Sequence, residues 1–112
     1  MIHLIVVVFS NIEDDCIIGD RNYYLFDTGM ATGFLLLRAT ELGLIAHPSA
    51  GYNPKKIKDI LKIPDKFNVI TLIIVGKHSK TINPILSEKQ KESEKDRPVR
   101  KKIDEFVYIN RY

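Results

Sequence analysis

The residues that most often carry catalysis are scattered along this chain. Three histidines, His3, His47 and His78, lie far apart and have no acidic residues at ligand spacing, so a structural or surface role suits each better than metal ligation. The serines lack the sequence context of an activated nucleophile. Cys16 follows three consecutive acids, which disfavour its thiolate. The sequence thus predicts neither a catalytic side chain nor a metal site.

Two other features could hold a cofactor that brings its own chemistry. The first is a run of small residues whose narrow turn would let backbone amides approach a planar ring. The second is a basic group near the end of the chain, which could grip a phosphate through charge-assisted hydrogen bonds. Each also has an ordinary interpretation, as a tight turn and as a solvated basic segment. The small residues are Pro48, Ser49, Ala50 and Gly51, and the basic ones are Arg97, Arg100, Lys101 and Lys102.

Length and composition indicate one globular domain over residues 1–112. The chain has 112 residues, of which 45% are hydrophobic and 28% charged, and these values allow an ordinary core and do not indicate disorder. Its single cysteine excludes an intrachain disulfide. The apolar run from Leu4 to Phe9 is short and no basic segment precedes it, so we expect a buried strand and no membrane span. We also expect a cytoplasmic protein.

Positive charge is concentrated in one part of the chain. The formal net charge is +3, yet residues 77–102 alone carry nine Lys or Arg against four acids. A nucleic-acid interface would explain such an excess, but this segment has no aromatic residue to stack on a base, and its acids interrupt the positive charge. We therefore predict no nucleic-acid partner.

The first half of the chain predicts a strand followed by a long helix. His3–Phe9 is rich in Ile and Val with little alternation, as in a strand covered on both faces. After a polar loop, a helix capped by Asp27 or Thr28 is expected to run to Leu42. Gly43 then fits a left-handed C-terminal cap.

That predicted helix is apolar around most of its circumference, which indicates burial on several sides. Gly29 and Gly33, four residues apart, leave a shallow groove on it. Close packing inside the domain and a subunit interface would both explain the groove. Because the rest of the chain offers few elements to cover the helix, we predict that the protein associates, as a homodimer or as a heteromer.

The second half predicts a helix and two strands. Asn53 followed by Pro54 is typical of a helix N-terminus. The run "NVITLIIVG", residues 68–76, predicts a second buried strand. A polar stretch follows, which could be a solvated helix or a loose excursion. Alternation around Phe106 and Tyr108 predicts a terminal strand.

From His3 to about Ile109 the chain resembles the C-terminal part of the FMN-dependent nitroreductase family. Four segments carry the resemblance in the family's order: the initial apolar strand; "LFDTGMATGFLLLRATELGL", similar to its long interface helix; "AHPSAGYNPKKIKDILKIPDKFNVITLIIVGKHS", similar to its flavin turn, short helix and strand; and "RPVRKKIDEFV", similar to its basic segment before the last strand. The resemblance implies an α+β fold with a mixed, largely antiparallel sheet flanked by helices, incomplete relative to the family.

The resemblance also implies FMN as the cofactor. In that family the residues matching Pro48 to Gly51 run along the isoalloxazine edge, and backbone amides of the last two would reach flavin N5. Arg100, and with it Arg97 or Lys101, matches the family's phosphate ligand. Many members have an acidic residue where Ala50 stands, a change that a backbone contact tolerates.

The activity implied by the resemblance is hydride transfer from NAD(P)H to FMN and then to a nitroaromatic, quinone or similar small acceptor. The family's flavin lies between the subunits of a dimer. Its N-terminal segment, of Arg-Arg-Ser type, has no match in this chain. Two interpretations follow: a truncated or short oxidoreductase, and a non-catalytic structural half that pairs with another chain carrying the missing flavin-binding segment.

Overall fold

Residues 2–111 are described by the computed structural model, and they form two compact units. One unit ends at His78 and the other begins at Ser79. None of the helices between residues 2 and 111 combines the length and the hydrophobicity that a bilayer crossing requires. The first unit contains, in chain order, β1 (Ile2–Ser10), β2 (Ile17–Ile18), β3 (Arg21–Asn22), α1 (Tyr24–Glu41), β4 (Ile45–Ser49), α2 (Pro54–Leu61) and β5 (Asn68–Gly76), and the second contains α3 (Glu88–Ser93).

A three-stranded antiparallel sheet organises the first unit, with β5 in the centre and β1 and β4 at its edges. Ile73 of β5 pairs with Val6 on one side and with Pro48 on the other, and its side chain is completely buried. Val75 is buried as well, and α1 packs against β4 and β1. The continuous aliphatic run of β5 is thus explained by its central position in the sheet.

Both strands and the second helix agree with the sequence predictions. β1 and β5 occupy the two Ile- and Val-rich runs. Helix α2 begins after Asn53, whose side-chain oxygen accepts a hydrogen bond from the Lys56 amide at 3.0 Å, and Pro54 is its first residue. The helix ends at Leu61 because Lys62 adopts a left-handed conformation with φ 57°.

Helix α1 begins three residues before the predicted cap at Asp27. Neither Asp27 nor Thr28 caps it, and Tyr23 precedes the first turn without a side-chain cap bond. The Thr28 hydroxyl instead donates to the Tyr24 carbonyl at 2.6 Å, inside the helix. The prediction of the cap was wrong, since the helix begins at Tyr24, directly after a residue whose amide donates to the Cys16 carbonyl at 3.2 Å. At the other end, Gly43 has φ +69°, as predicted.

The segment predicted as a loop before α1 contains more regular structure than expected. Asn11 starts a short 3-10 turn over residues 12–14, and its side chain accepts from the Glu13 amide. β2 and β3 then form a small antiparallel hairpin, with Ile18 paired with Arg21. Gly19, at φ +65°, makes the tight connection between them.

The second unit contains little regular structure. The helical interpretation of its polar stretch holds for α3, which Ser87 caps through a hydrogen bond from the Gln90 amide at 3.3 Å. The predicted terminal strand is absent from residues 106–111. The chain turns there instead, since the Val107 amide donates to the Ile103 carbonyl at 2.9 Å and Asn110 is left-handed. A strand needs a neighbouring strand to satisfy its amides, and this segment has none in the described chain.

Candidate functional site

The run of small residues lies at the end of an edge strand. Pro48 and Ser49 still belong to β4, opposite Ile73 and Leu72 of β5, and the chain leaves the sheet at Ala50. The turn therefore begins two residues later than predicted. Proline is accepted in β4 because an edge strand has one side without ladder partners.

Two side-chain hydrogen bonds tie this turn to β5. The Thr71 hydroxyl donates to the Ser49 carbonyl at 3.0 Å, just before the turn. The Tyr52 hydroxyl donates to the Val69 carbonyl at 3.0 Å, just after it. Neither Thr71 nor Tyr52 was singled out from the sequence, because their partners lie 22 and 17 residues away and depend on the register of β4 with β5.

The turn contains two backbone amides that donate no loop backbone hydrogen bond among residues 2–111, and there is open space beside the second of them, Gly51. The Tyr52 amide donates to the Ala50 carbonyl at 3.0 Å, but none of the loop backbone hydrogen bonds in residues 2–111 is donated by the Ala50 or Gly51 amide. A Cβ built on Gly51 would have no atom within 4 Å, and the φ of Gly51 lies outside the left-handed region. We call Ala50 and Gly51 the Gly51 ledge: two donors next to a space that a side chain would fill.

The conformation of Gly51 shows whether the backbone itself requires glycine at this position. A left-handed φ, as at Gly43, would require glycine for the backbone alone. At Gly51 the backbone makes no such demand, and no neighbouring atom excludes a side chain. The fold of the described chain therefore does not require glycine at position 51, as it does not at Gly29 or Gly33. The open space beside Gly51 leaves room for the edge of a flat ring such as a flavin.

The basic residues form an exposed group in the second unit. Arg97, Arg100 and Lys101 lie in an irregular segment between α3 and the turn at 103–105. Neither of the two ion pairs among residues 2–111 involves them. Their positive charge is thus available to an anion such as a phosphate.

Cys16 is not an activated nucleophile. Desolvation by neighbouring atoms, followed by the negative charge of Asp15, raises the pKa of its thiol. Asp15 itself accepts from the Cys16 amide at 2.6 Å, and this bond is the main cause of its lowered pKa. The pKa of Asp27 is raised, chiefly by its hydrogen bond with Asp15. The predicted suppression of the thiolate is confirmed, with desolvation as its first cause.

The histidines show no common site. His47 and His78 are exposed, and the side chain of His3 lies outside the described part of the chain. Among the described residues, no group of three or more His, Cys, Asp or Glu is arranged to hold a metal ion.

Comparison with known proteins assigns the chain to a family. The sequence model of the Nitroreductase family matches residues 3–77, which include the three-stranded sheet except its first residue, the Gly51 ledge and both α-helices of the first unit. The chain belongs to the Nitroreductase family. A Bacillus subtilis (strain 168) protein, provisionally named NAD(P)H nitroreductase MhqN, is 29% identical over 87 residues. That alignment covers 78% of this chain but only 37% of the relative.

Solved nitroreductase structures share the fold. A nitroreductase family protein from Clostridium novyi NT is 33% identical, with a TM-score of 0.63, over 68% of this chain and 42% of that one. A protein described as an oxidoreductase containing FMN is 26% identical, with a TM-score of 0.75, over 96% of this chain and 55% of that one. The predicted α+β class and family are therefore confirmed. The chain spans about half or less of the length of these relatives.

Proposed function

We propose that this protein is an FMN-dependent oxidoreductase of the nitroreductase type, which uses NAD(P)H to reduce a small acceptor such as a nitroaromatic or a quinone. The observation that carries the proposal is the Gly51 ledge in a chain of the Nitroreductase family: two amides without a hydrogen-bond acceptor among the described residues, with open space beside Gly51. The FMN content of a solved relative at 26% identity supports the choice of cofactor.

The residues assigned to FMN fall into two groups with different tasks. Pro48, Ser49, Ala50 and Gly51 would contact the ring through backbone, because strand β4 and its turn present amides and no large side chain. Arg97, Arg100 and Lys101 would bind the phosphate, since three exposed cations in one short segment offer several charge-assisted donors.

The chain contributes binding and orientation to the proposed reaction. When bound, FMN supplies the redox chemistry, accepting hydride from NAD(P)H and delivering it to the second substrate. No activated side chain is needed for this, and the raised pKa of the only cysteine agrees with such a division of labour. Donor amides at the Gly51 ledge would favour negative charge on an acceptor atom that lies against them.

The proposed assembly is a homodimer formed through α1. Four large apolar side chains lie along one stripe of this helix and are exposed: Phe26 at 60%, Met30 at 45%, Phe34 at 70% and Leu37 at 65%. Beside them is a shallow concavity of about 490 Å³, which Gly33 helps to form. No atom lies within 4 Å of a Cβ built on Gly33, so the thin side of the helix is open to a partner.

A second candidate function is a structural half that pairs with a different chain. The chain spans 37% to 55% of the three relatives described above, and the exposed stripe of α1 would accept another polypeptide as readily as a second copy. In that case FMN would bind only after the partner supplied its own flavin contacts.

One titration separates the two candidates. The purified chain is titrated with FMN, binding is followed by flavin fluorescence, and the complex is then mixed with NADPH under anaerobic conditions. Saturable binding and bleaching of the flavin by NADPH support the oxidoreductase. Binding that appears only after addition of the N-terminal part of a nitroreductase supports the structural half, and no binding in either mixture contradicts both.

A further inference from the structure

We infer that Thr71 and Tyr52 are positioning residues, whose hydroxyl groups aim the amides of the Gly51 ledge at the flavin. This inference rests on the proposed function, because it concerns the same site. It adds two side chains that do not touch the cofactor in the proposed arrangement and act through the peptide planes of the turn.

Thr71 controls the peptide unit between Ser49 and Ala50. The ladder between β4 and β5 ends at the pair Ser49 and Leu72, so Thr71 is the first β5 residue without a partner in β4. Its hydroxyl lies 3.0 Å from the Ser49 carbonyl oxygen and 3.3 Å from the Leu72 carbonyl oxygen. A hydroxyl has one proton to donate, and the shorter contact is the one that crosses between strands.

Because the peptide unit is planar, this hydrogen bond also fixes the direction of the Ala50 amide in the Gly51 ledge. The Ser49 carbonyl and the Ala50 amide belong to one planar peptide unit, and the described chain has no cis peptide bonds. In a trans unit the C=O and N–H point in opposite directions. A hydroxyl that holds the Ser49 carbonyl toward β5 therefore holds the Ala50 N–H away from β5, where the ligand would lie.

Tyr52 controls the next peptide unit, between Ala50 and Gly51, through its backbone amide. Its amide donates to the Ala50 carbonyl at 3.0 Å, and that carbonyl shares a planar unit with the Gly51 amide. Its hydroxyl is fixed by the Val69 carbonyl at 3.0 Å, so both ends of the residue are held. With the Ala50 carbonyl directed at the Tyr52 amide, the Gly51 N–H points away from that amide. Both ledge amides are thus pre-oriented before a ligand arrives, which reduces the ordering that binding requires.

The test compares FMN with 5-deaza-FMN, an analogue that carries C–H in place of the N5 acceptor. Thr71→Val and Tyr52→Phe each remove one hydroxyl and keep the shape of the side chain. Thr71→Ser keeps the hydroxyl, and Tyr23→Phe removes a phenol that contacts Arg21 instead of the turn. Dissociation constants for both flavins and the melting temperature without flavin are measured for each protein.

We expect Thr71→Val and Tyr52→Phe to bind FMN about three- to tenfold more weakly, as one neutral hydrogen bond allows, and to bind 5-deaza-FMN nearly as the unsubstituted protein does. Thr71→Ser, which keeps the hydroxyl, and Tyr23→Phe should both bind FMN with the affinity of the unsubstituted protein. Equal losses for both flavins, or no loss in either variant, would overturn the inference while leaving FMN binding by the unsubstituted protein intact. Failure of the unsubstituted protein to bind FMN would overturn the proposed function and this inference with it.

Discussion

Replacing Gly51 by valine should separate ligand binding from folding. Apart from the adjoining residues, the structure places no atom within 4 Å of the new Cβ, and the backbone is not left-handed there, so the Cβ meets neither a clash nor backbone strain in the free protein. Loss of glycine also restricts the unfolded chain, which stabilises a compatible site by about 0.4–1 kcal/mol. We therefore expect a melting temperature, measured without flavin, that is unchanged or raised by a few degrees.

Flavin binding should respond in the opposite direction. A branched side chain on the Gly51 ledge would occupy the space assigned to the ring edge, and extra methyl groups in a filled contact cost about 1–3 kcal/mol. That corresponds to an FMN dissociation constant about 5- to 150-fold higher. Fluorescence titration measures the affinity, and calorimetry of the flavin-free protein measures the stability.

Gly43→Ala is the matched control for this experiment. Because Gly43 has φ +69°, alanine there is strained and should lower the melting temperature by several degrees while FMN affinity stays the same. The reasoning about Gly51 would be refuted if Gly51→Val lost stability as Gly43→Ala does, or if it bound FMN with unchanged affinity.

The remaining predictions concern the phosphate, the association and the thiol. Arg100→Ala should weaken FMN binding by about 1.5–3 kcal/mol but leave riboflavin affinity unaltered, and an equal effect on both ligands would remove Arg100 from the phosphate site. Gly33→Leu should yield a stable monomer in sedimentation at micromolar concentration, because leucine favours the helical conformation and fills the groove. The control variant Gly33→Ala should still associate. Identical association of the two variants would argue against close approach of a partner at Gly33. Asp15→Asn should lower the pKa of the Cys16 thiol by removing a neighbouring negative charge, so that Cys16 reacts faster with a thiol reagent near pH 8. An unchanged rate would contradict a contribution from the charge of Asp15.

Elements with local signals were predictable from the sequence. Asn53 and Pro54 specify the start of α2, because the cap is formed inside the four residues 53–56. The aliphatic run of β5 specifies a central strand. The start of α1 was missed because no side chain caps it, so the sequence carries no cap signal at Tyr23. The β2–β3 hairpin was missed for a different reason: each strand is two residues long, too short to show alternation.

The candidate site was predictable in part. The small residues at positions 48–51 predicted a turn, which the structure places after Ser49, the last residue of β4. Thr71 and Tyr52 could not be found in this way, since their roles depend on which residue ends the β4–β5 ladder. A lone threonine in an aliphatic strand and an aromatic residue just after a glycine were the only signals available.

The most direct test of the account is to observe the Gly51 ledge itself during FMN binding. In a titration of ¹⁵N-labelled protein with FMN, the amide resonances of Ala50 and Gly51 should show the largest saturable shifts in the first unit, and 5-deaza-FMN should shift them less. Saturable FMN binding that leaves these two amides unperturbed, or no saturable binding by any assembly that contains the chain, would contradict the central claim.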